Sequence, residues 1–577
     1  MSNAQRILLV VAVLLLAAGG VFAALYFSGV FSPSPDVPDP VSSESQGEPA
    51  KTSADPQSGD ASADPETSDE KEEVWSEDWT QTKDYDKALF SEFDRQTDAD
   101  DPDATVVCDG KDAAVEGKNR SGVTAENGTV SVTKGGTYIL RGTYKGRILV
   151  KVAETEKVRL VFDNFSITCA AYTPILCASA DKLAIILPEG TVNEVVDSGS
   201  GYVKGVDEQE EIEGRSAGAI HAKCDLTING NGKLVVKANY RHGIFSKNDL
   251  RILAGRIEVT ASSSGIKGKG SVTVGGGSIH IESDGDAFKV TETQKLGKGT
   301  FTMTDGVVTC VTKADGVDAM LGVSMDGGRM SLTAADHAIT SDGSIDVRGE
   351  DTVLRLASTN GGKGIRAFGD INIINGDIRI SQAQEGISST AKSVLIKNGK
   401  LRLHTTEEGL DAAVNLTVAG GDIAVFSQNS GIGADGRVNQ TGGTLYVCGP
   451  AEGNGGIVEL VTGDGKSGTW TVSGGLFVGC GNPGEDNTPS DKSGQVCVRL
   501  YGDFKGDSFY YLKGADGVLM TFRVPQDCSV LLLSGPDLKE ETLYTLLAGV
   551  TPKEQPESGG GICSDPSSEG GTEVSFH

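Results

Sequence analysis

A repeat of about 22 residues runs through the middle of the chain, and it constrains the possible folds more than any other feature. Each repeat contains a short strand of alternating apolar residues, a tight glycine turn and another short alternating strand, as in DLTINGNGKLVVKA from Asp225. The turn glycines are Gly232, Gly255, Gly277, Gly306, Gly328, Gly376, Gly399, Gly421 and Gly443. The long interval between Gly328 and Gly376 holds one further coil, whose turn lies near Gly349 and Asp351.

A second turn recurs about ten residues after the first, and it reads as a small residue followed by an apolar one. Its members are Gly243-Ile244, Gly265-Ile266, Ala287-Phe288, Gly316-Val317, Ala338-Ile339, Gly364-Ile365, Gly386-Ile387, Gly409-Leu410 and Gly431-Ile432. Strands this short do not form stable hairpins alone, but stacked in register they bury a continuous apolar core. The two series of turns therefore predict a solenoid.

The predicted fold class is all-β: a right-handed parallel β-helix over residues 104–481, closed by a small C-terminal β cap region over 482–552. Successive coils would lie about 4.8 Å apart, and pairs such as Leu250 and Ile252 would point inward. Glycine makes up 78 of 577 residues, which suits tight turns. A leucine-rich repeat is excluded because its Leu and Asn pattern is absent, and a propeller blade would need about 40 residues.

The N-terminus carries an uncharged apolar run, from Ile7 to Phe27, which is long enough to cross a bilayer at about 1.5 Å per residue. Residues 1–6 would form a cytoplasmic stub, because Arg6 favours an internal N-terminus. We therefore predict a single-pass protein of the cell membrane whose body is extracellular. The competing interpretation is a signal peptide cleaved near Ala23, and it exports the body as well.

The net charge of −29 has a strong contribution from residues 28–103, which are rich in Pro, Ser, Asp and Glu and are predicted to form a disordered stalk. Four apolar residues break this pattern and predict a short piece that docks onto the body. They are Trp75, Trp79, Leu89 and Phe90. Residues 553–577 are predicted to form a flexible tail. An acidic chain does not suit a nucleic-acid partner, because phosphates need a basic surface.

Several segments follow one another in an order that resembles a known family. They are GGTYILRGTYKGRILV from Gly135, LVFDNFSIT from Leu160, ADKLAIILPEGTVN from Ala180, the DLTING coils, SGGLFVGCG from Ser473 and SGPDLKEETLYTLLAG from Ser534. Over residues 89–549 the chain resembles the clostridial-type carbohydrate-binding β-helix family, described as cellulose- and acidic-sugar-binding surface proteins with a polysaccharide-lyase-like fold. The resemblance implies an extracellular β-helix that binds polysaccharide and carries calcium sites.

Stacked coils turn equivalent positions into columns, and the column before the second turn is rich in acidic residues. It reads His242, Ser264, Asp286, Asp315, His337, Lys363, Glu385, Glu408 and Ser430. Carboxylates about 5 Å apart repel one another unless a proton or a cation intervenes, and calcium prefers oxygen ligands. We predict metal ligands at Asp284, Asp286, Asp315, Asp318, Glu385, Glu407 and Glu408. The competing interpretation is a set of solvated turns without a metal.

Basic residues occupy the column just after the second turn. Lys267, Lys289 and Arg366 are predicted to contact the carboxylates of an acidic sugar. A lysine beside a carboxylate-bound cation would also suit a calcium-dependent lyase that abstracts a proton next to a uronic carboxylate. The competing interpretation of the same layout is a ladder of salt bridges that has no chemical role.

The ten cysteines show no Cys-x-x-Cys pair. Cys169, Cys177, Cys224 and Cys310 fall in or beside strands, where a thiol packs as a small apolar residue. Cys480 and Cys497 are the most plausible disulfide pair.

The residues and the resemblance together predict a monomeric, calcium-dependent and non-catalytic protein that binds an acidic or cell-wall polysaccharide. Its only membrane contact would be the N-terminal helix. Two alternatives stay open: a calcium-dependent polysaccharide lyase, and a surface adhesin or scaffold with a protein partner. A fold alone cannot decide among them.

Overall fold

The computed structural model describes residues 85–198, 218–451, 455–460, 468–482, 489–515, 517–556, 561–566 and 568–576. Internal contacts divide the chain into two units, 1–73 and 74–577, and every described residue belongs to the second. Within the described part, no helix has the length and apolarity that a bilayer span requires. The predicted span from Ile7 to Phe27 lies outside it.

The body is built from strands that stack into three faces. Face 1 is a sheet of 15 strands, all paired in parallel except the first two, which form an antiparallel hairpin. Its strands are Val123–Glu126, Thr129–Val132, Arg147–Lys151, Ile175–Ser179, Gly218–Ala222, His242–Ser246, Ile266–Gly268, Phe288–Val290, Val317–Ala319, Ile339–Ser341, Ile365–Ala367, Ile387–Ser389, Leu410–Ala412, Ile432–Ala434 and Val458–Glu459.

Faces 2 and 3 hold the two strands on either side of the glycine turn, each paired in parallel with its counterpart in the next coil. Face 2 contains Lys182–Ile186, Asp225–Asn229, Leu250–Ile252, Val272–Val274, Thr300–Met303, Gly322–Met325, Ser344–Val347, Ile371–Ile373, Val394–Ile396, Asn415–Val418, Arg437–Gln440 and Thr469–Val472. Face 3 contains Val192–Asp197, Lys233–Ala238, Arg256–Ala261, Ser278–Ser283, Val307–Thr312, Arg329–Ala334, Val353–Ser358, Asp377–Gln382, Lys400–Thr405, Asp422–Ser427, Thr444–Cys448 and Leu476–Gly481.

One apolar core runs along the inside of the stacked coils, because inward residues of successive strands lie in register. Ile244 pairs with Ile266 and Ile266 with Phe288, and all three are fully buried. Leu250 and Ile252 are buried as well, in agreement with the alternation in the sequence. The all-β solenoid with parallel coils is confirmed, and its right-handed winding stays a prediction.

The backbone conformation explains why glycine occupies the turns between faces 2 and 3. Gly255 has φ 106° and Gly399 has φ 113°, in the left-handed region that favours glycine. In the first coil of the series the positive φ falls on Gly230 rather than on the expected Gly232.

Longer strands form the N-terminal end of the solenoid. Their bounds are Ala104–Gly110, Asp112–Glu116, Gly136–Lys145 and Lys157–Cys169, and a short 3-10 helix spans Arg120–Gly122. The strand Lys157–Cys169 pairs with Lys182–Ile186 in its first half and with Val192–Asp197 in its second half, so it joins faces 2 and 3.

The C-terminal cap consists of antiparallel strands. Their bounds are Cys497–Phe504, Ser508–Gly514, Gly517–Val524, Cys528–Ser534, Thr545–Pro552 and Ser568–Glu573. The last strand lies in the segment that was expected to be a flexible tail, and it pairs with Thr545–Pro552. That expectation is wrong for residues 568–573, because backbone hydrogen bonds form a sheet edge without needing apolar side chains.

Residues 85–96 form a strap that lies on face 2. A helix spans Glu92–Arg95, Phe90 is fully buried, and the side chain of Arg251 donates a hydrogen bond to the Leu89 carbonyl at 3.1 Å. The prediction that Leu89 and Phe90 dock onto the body is confirmed, whereas Trp75 and Trp79 lie outside the described residues. The part of the predicted stalk from residue 85 onward is therefore ordered on the body.

The predicted disulfide between Cys480 and Cys497 is wrong, because another strand separates the two cysteines. The strand Cys528–Ser534 lies between them, with Cys480 opposite Leu531 and Cys497 opposite Ser534. Two strand spacings of about 4.8 Å exceed the Cα separation that a disulfide allows. The four cysteines expected to pack like small apolar residues are all buried: Cys169, Cys177, Cys224 and Cys310.

Candidate functional site

In the three-residue strands of face 1 the middle residue points away from the core, because strand side chains alternate between the two sides of a sheet. Phe288 and Val290 are fully buried, whereas the Lys289 side chain between them is 32% exposed. Parallel register stacks these outward residues into one column, which we call the outer column. It reads His221, Phe245, Lys267, Lys289, Asp318, Thr340, Arg366, Ser388 and Asp411.

The predicted column before the second turn runs alongside the outer column, and backbone hydrogen bonds hold it in place. The amide of Gly265 donates to the Asp286 carbonyl at 2.9 Å, and the amide of Ala287 donates to the Asp315 carbonyl at 3.0 Å. The residue that follows this column must be small, because a Cβ at Gly265 would collide with Ile281 in the wall of the coil. This close approach explains the small-then-apolar signal in the sequence.

Cluster one consists of Asp286, Asp315 and Asp318, whose carboxylate oxygens lie within 4.8 Å of one another. Lys289 lies between two of them, with its Nζ 2.7 Å from an oxygen of Asp286 and 2.7 Å from an oxygen of Asp318. Burial lowers the pKa of Lys289, but its bonds to these carboxylates raise it to a larger extent, so the ammonium stays charged. This lysine therefore neutralises part of cluster one.

Asp315 is the carboxyl group of cluster one that is least compensated. Burial and then the charge of Asp286 raise its pKa to about 7, although the His337 amide donates a hydrogen bond to it at 2.9 Å. Asp336 and His337 form a second possible ligand group with Asp315. The fourth predicted ligand of this region, Asp284, is not part of cluster one, since its carboxylate accepts a hydrogen bond from Lys313 at 2.8 Å.

Cluster two consists of Glu385, Glu407 and Glu408, as predicted from the sequence spacing, with ligand oxygens within 4.8 Å of one another. Lys363 contacts Glu385 at 2.6 Å. Burial raises the pKa of Glu408 to about 7, and the charge of Glu385 adds to this effect.

Asp411, in the same coil as Glu407 and Glu408, extends cluster two. Burial likewise raises its pKa to about 6, while Ser388 donates a hydrogen bond to it at 2.9 Å. A raised pKa means that the ionised form of these carboxyl groups is disfavoured, and a bound cation would stabilise that form.

The predicted basic residues lie on the same face but in different surroundings. The ammonium of Lys267 is 3.5 Å from His242 Nε2 and 5.6 Å from the centre of the Phe245 ring. Burial, followed by the charge of Lys289, lowers the pKa of Lys267. Arg366 donates a hydrogen bond to the Thr340 hydroxyl at 3.2 Å.

Charge alternates along face 1. Lys267 comes first, cluster one follows, Lys363 and Arg366 come next, and cluster two closes the row. Sequence reasoning missed the role of Lys363 as the counter-ion of Glu385, although its position in the acidic column was a signal for it.

Parallel coils with a row of charged side chains on one face define a β-solenoid with an elongated polar surface. Residues 126–409 match the family model of carbohydrate-binding domain-containing proteins. A carbohydrate-binding domain-containing protein of Acetivibrio thermocellus is 32% identical over 248 residues, which cover 43% of this chain and 84% of the relative. A solved structure described as the polysaccharide lyase-like protein from C. thermocellum, gadolinium derivative, is 31% identical with a TM-score of 0.41, over 44% of this chain and 99% of that chain.

The chain therefore belongs to the family of carbohydrate-binding domain-containing proteins.

Proposed function

We propose that face 1 binds an acidic polysaccharide along the axis of the solenoid and that the protein does not cleave it. The observation that carries this proposal is the pair of adjacent columns in which charged side chains recur from coil to coil. Family membership supports a carbohydrate as the ligand. Export of this body by the N-terminal apolar segment, with a membrane anchor and a single copy per binding unit, is part of the same proposal.

A linear glycan suits this surface because its repeating groups can contact several coils at once. Coils recur about every 4.8 Å, so weak contacts at successive coils add up along the polymer. Lys267 and Arg366 would contact sugar carboxylates, while calcium at the acidic clusters would bridge others. Lys289 contributes less directly, because its ammonium is already bonded to Asp286 and Asp318.

Calcium fits the donor set of both clusters, since carboxylate oxygens are its preferred ligands. In cluster one a cation must compete with Lys289, which contacts two of the three carboxylates. In cluster two the lysine contact falls on Glu385. We therefore propose cluster two as the stronger calcium site and cluster one as the weaker.

Millimolar calcium is expected to raise the thermal midpoint of the protein by about 2–4 °C, because a ligand that binds the native state stabilises it by mass action. Glu408→Gln should reduce this shift, whereas Glu258→Gln on face 3 should leave it unchanged. Differential scanning calorimetry with calcium and with a chelator measures the effect. Identical midpoints in wild type under both conditions would contradict a structural calcium site.

One observation favours polysaccharide lyase activity as a second candidate function. The pKa of Lys267 is lowered by burial and by Lys289, which would make it a better proton acceptor than an ordinary lysine. The lysine that contacts cluster one is Lys289, and its raised pKa counts against catalysis there, because a lysine held in its charged form cannot accept a proton. We favour binding without cleavage for this reason.

Lys267→Ala and Arg366→Ala are each expected to weaken binding to polygalacturonate about tenfold, which corresponds to the loss of one charge-assisted contact. Arg329→Ala, an exposed residue of face 3, is the matched control and should bind like wild type. Isothermal titration calorimetry gives the affinities, and absorbance of unsaturated uronates reports cleavage.

Unchanged affinity in a double variant that combines Lys267→Ala with Arg366→Ala would show that the glycan binds elsewhere. If wild type released unsaturated products and Lys267→Ala did not, the protein would be a lyase, and the proposal of binding without cleavage would be wrong. Binding of a cell-wall protein without binding of any glycan would favour the adhesin alternative.

A further inference from the structure

Two cysteines in successive coils bring their sulfur atoms together inside the solenoid. Cys177 lies in the face 1 strand Ile175–Ser179. The next strand of face 1, Gly218–Ala222, pairs with this strand in parallel, and Cys224 follows it in the chain. Their Sγ atoms are 3.6 Å apart, and both side chains are buried. A disulfide bond has a length of about 2.05 Å, so modest rotations of the two side chains would close the remaining gap.

We propose that Cys177 and Cys224 form a disulfide bond in the mature protein. The bond forms by thiol–disulfide exchange with a disulfide oxidant, such as oxidised glutathione or a disulfide-bearing oxidoreductase. One thiolate attacks the disulfide of the oxidant, and the second displaces the reduced sulfur from the mixed disulfide. The two cysteines together lose two electrons and two protons, and the oxidant is reduced to two thiols.

The position of this pair gives the bond a structural role. The connection from the strand Val192–Asp197 to Gly218–Ala222 is much longer than the equivalent connection in the next coil, from Lys233–Ala238 to His242–Ser246. Cys177 lies before the long connection and Cys224 after it, 47 positions apart in sequence. A covalent bond between Cys177 and Cys224 would hold two coils in register where the repeat is interrupted. It would also stabilise the folded protein, because it restricts the conformations of the unfolded chain.

The other close pair of thiols has less suitable geometry. Cys448 and Cys480 lie opposite each other on adjacent parallel strands, and the Tyr446 hydroxyl is 3.3 Å from the Cys480 sulfur. In-register residues on neighbouring strands are separated by about 4.8 Å, which exceeds the Cβ separation of about 3.8 Å in a disulfide. This pair is therefore expected to stay reduced.

Burial determines when the bond forms. The neighbouring Cys224 thiol and burial both raise the pKa of Cys177, so little thiolate is present once the coils have packed. Oxidation is expected while the two coils stack during folding, and the finished bond should resist external reductants until the protein unfolds.

The test is to refold the full chain with oxidised and reduced glutathione, unfold it without reductant, and label free thiols with N-ethylmaleimide. Mass spectrometry should find a cross-linked peptide pair that contains Cys177 and Cys224. In Cys224→Ala the Cys177 peptide should be labelled before reduction. Cys563→Ala, in the cap, is the matched control and should retain the cross-link.

The thermal midpoint provides a second measurement. Oxidised wild type should melt about 4 °C above the reduced protein, and Cys563→Ala should show the same difference. Cys224→Ala should lose the difference between its oxidised and reduced forms. Full labelling of Cys177 and Cys224 in oxidised wild type, or a cross-link at Cys448 and Cys480 instead, would overturn the proposal. Because neither measurement involves a glycan, the result is independent of the proposed binding function.

Discussion

Asp94→Ala is expected to lower the free energy of unfolding by about 3–5 kcal/mol, because it breaks a buried ion pair and leaves the other charge without its partner. The Asp94 side chain is fully buried between the strap and face 2, and Lys182 Nζ lies 2.9 Å from Oδ1 and 3.0 Å from Oδ2. Ser91 and Thr227 donate hydrogen bonds to the same carboxylate at 2.6 and 2.5 Å. The strap is therefore part of the folded body rather than a loose connection.

Chemical denaturation of the full chain measures this effect, and Asp98→Ala is the matched control because Asp98 is exposed just after the strap. The control should change the unfolding free energy by less than about 0.5 kcal/mol. If Asp94→Ala were as stable as the control, the strap would contribute nothing to the stability of the solenoid. Loss of the strap contacts should also expose Phe90, which limited proteolysis can detect.

The same residue predicts a pH dependence with a definite sign. Burial raises the pKa of Asp94, but the hydrogen bonds from Ser91, Thr227 and Lys182 lower it to a larger extent, so the net shift is downward. A depressed pKa means that the stabilisation is present above the unfolded value of about 3.9 and is lost as the pH falls through the folded value. The difference between wild type and Asp94→Ala should therefore shrink in acid.

The second large effect is a loss of stability between pH 5 and pH 7 in the absence of divalent cations. The folded pKa values of Asp315 and Glu408 are raised to about 7 and that of Asp411 to about 6, above their unfolded values. Between the unfolded and folded values the native state binds more protons than the unfolded state, so the unfolding free energy falls as the pH rises. We expect a total decrease on the order of 2–4 kcal/mol after solvent screening.

Urea denaturation at a series of pH values, with a chelator present, measures this slope. Asp315→Asn and Glu408→Gln should each flatten it, whereas Asp284→Asn should not, because Asp284 lies outside both clusters and contacts Lys313. Calcium should reduce the slope in wild type, since a cation replaces the protons on these carboxyl groups. A wild-type stability that stays constant or rises from pH 5 to pH 7 would contradict the raised pKa values.

These two effects assign different roles to two parts of the body: the strap and face 2 stabilise the fold, and face 1 is the proposed binding surface. The strap stabilises face 2 through Asp94, whereas face 1 carries carboxyl groups that destabilise the protein when they ionise. A surface whose charges are unfavourable without a partner is typical of ligand sites. Binding of calcium and glycan at face 1 would relieve this repulsion.

The sequence alone determined the solenoid and the identity of the two columns on face 1. Short alternating strands between turns at a fixed period can bury their apolar sides only by stacking, so inward residues such as Ile266 followed from periodicity. Equivalent positions in stacked coils must be neighbours, and for this reason the grouping of Glu385, Glu407 and Glu408 was also predictable.

Only the tertiary structure decided how the charges and thiols are paired. Period and register place Asp284 beside Asp286, but the side chain of Asp284 turns to Lys313, and Lys289 enters the space between Asp286 and Asp318. The strand Cys528–Ser534 inserts between the strands of Cys480 and Cys497, which no local pattern could indicate. Periodicity fixes where a backbone position lies, whereas side-chain partners and the order of cap strands depend on contacts between residues far apart in the chain.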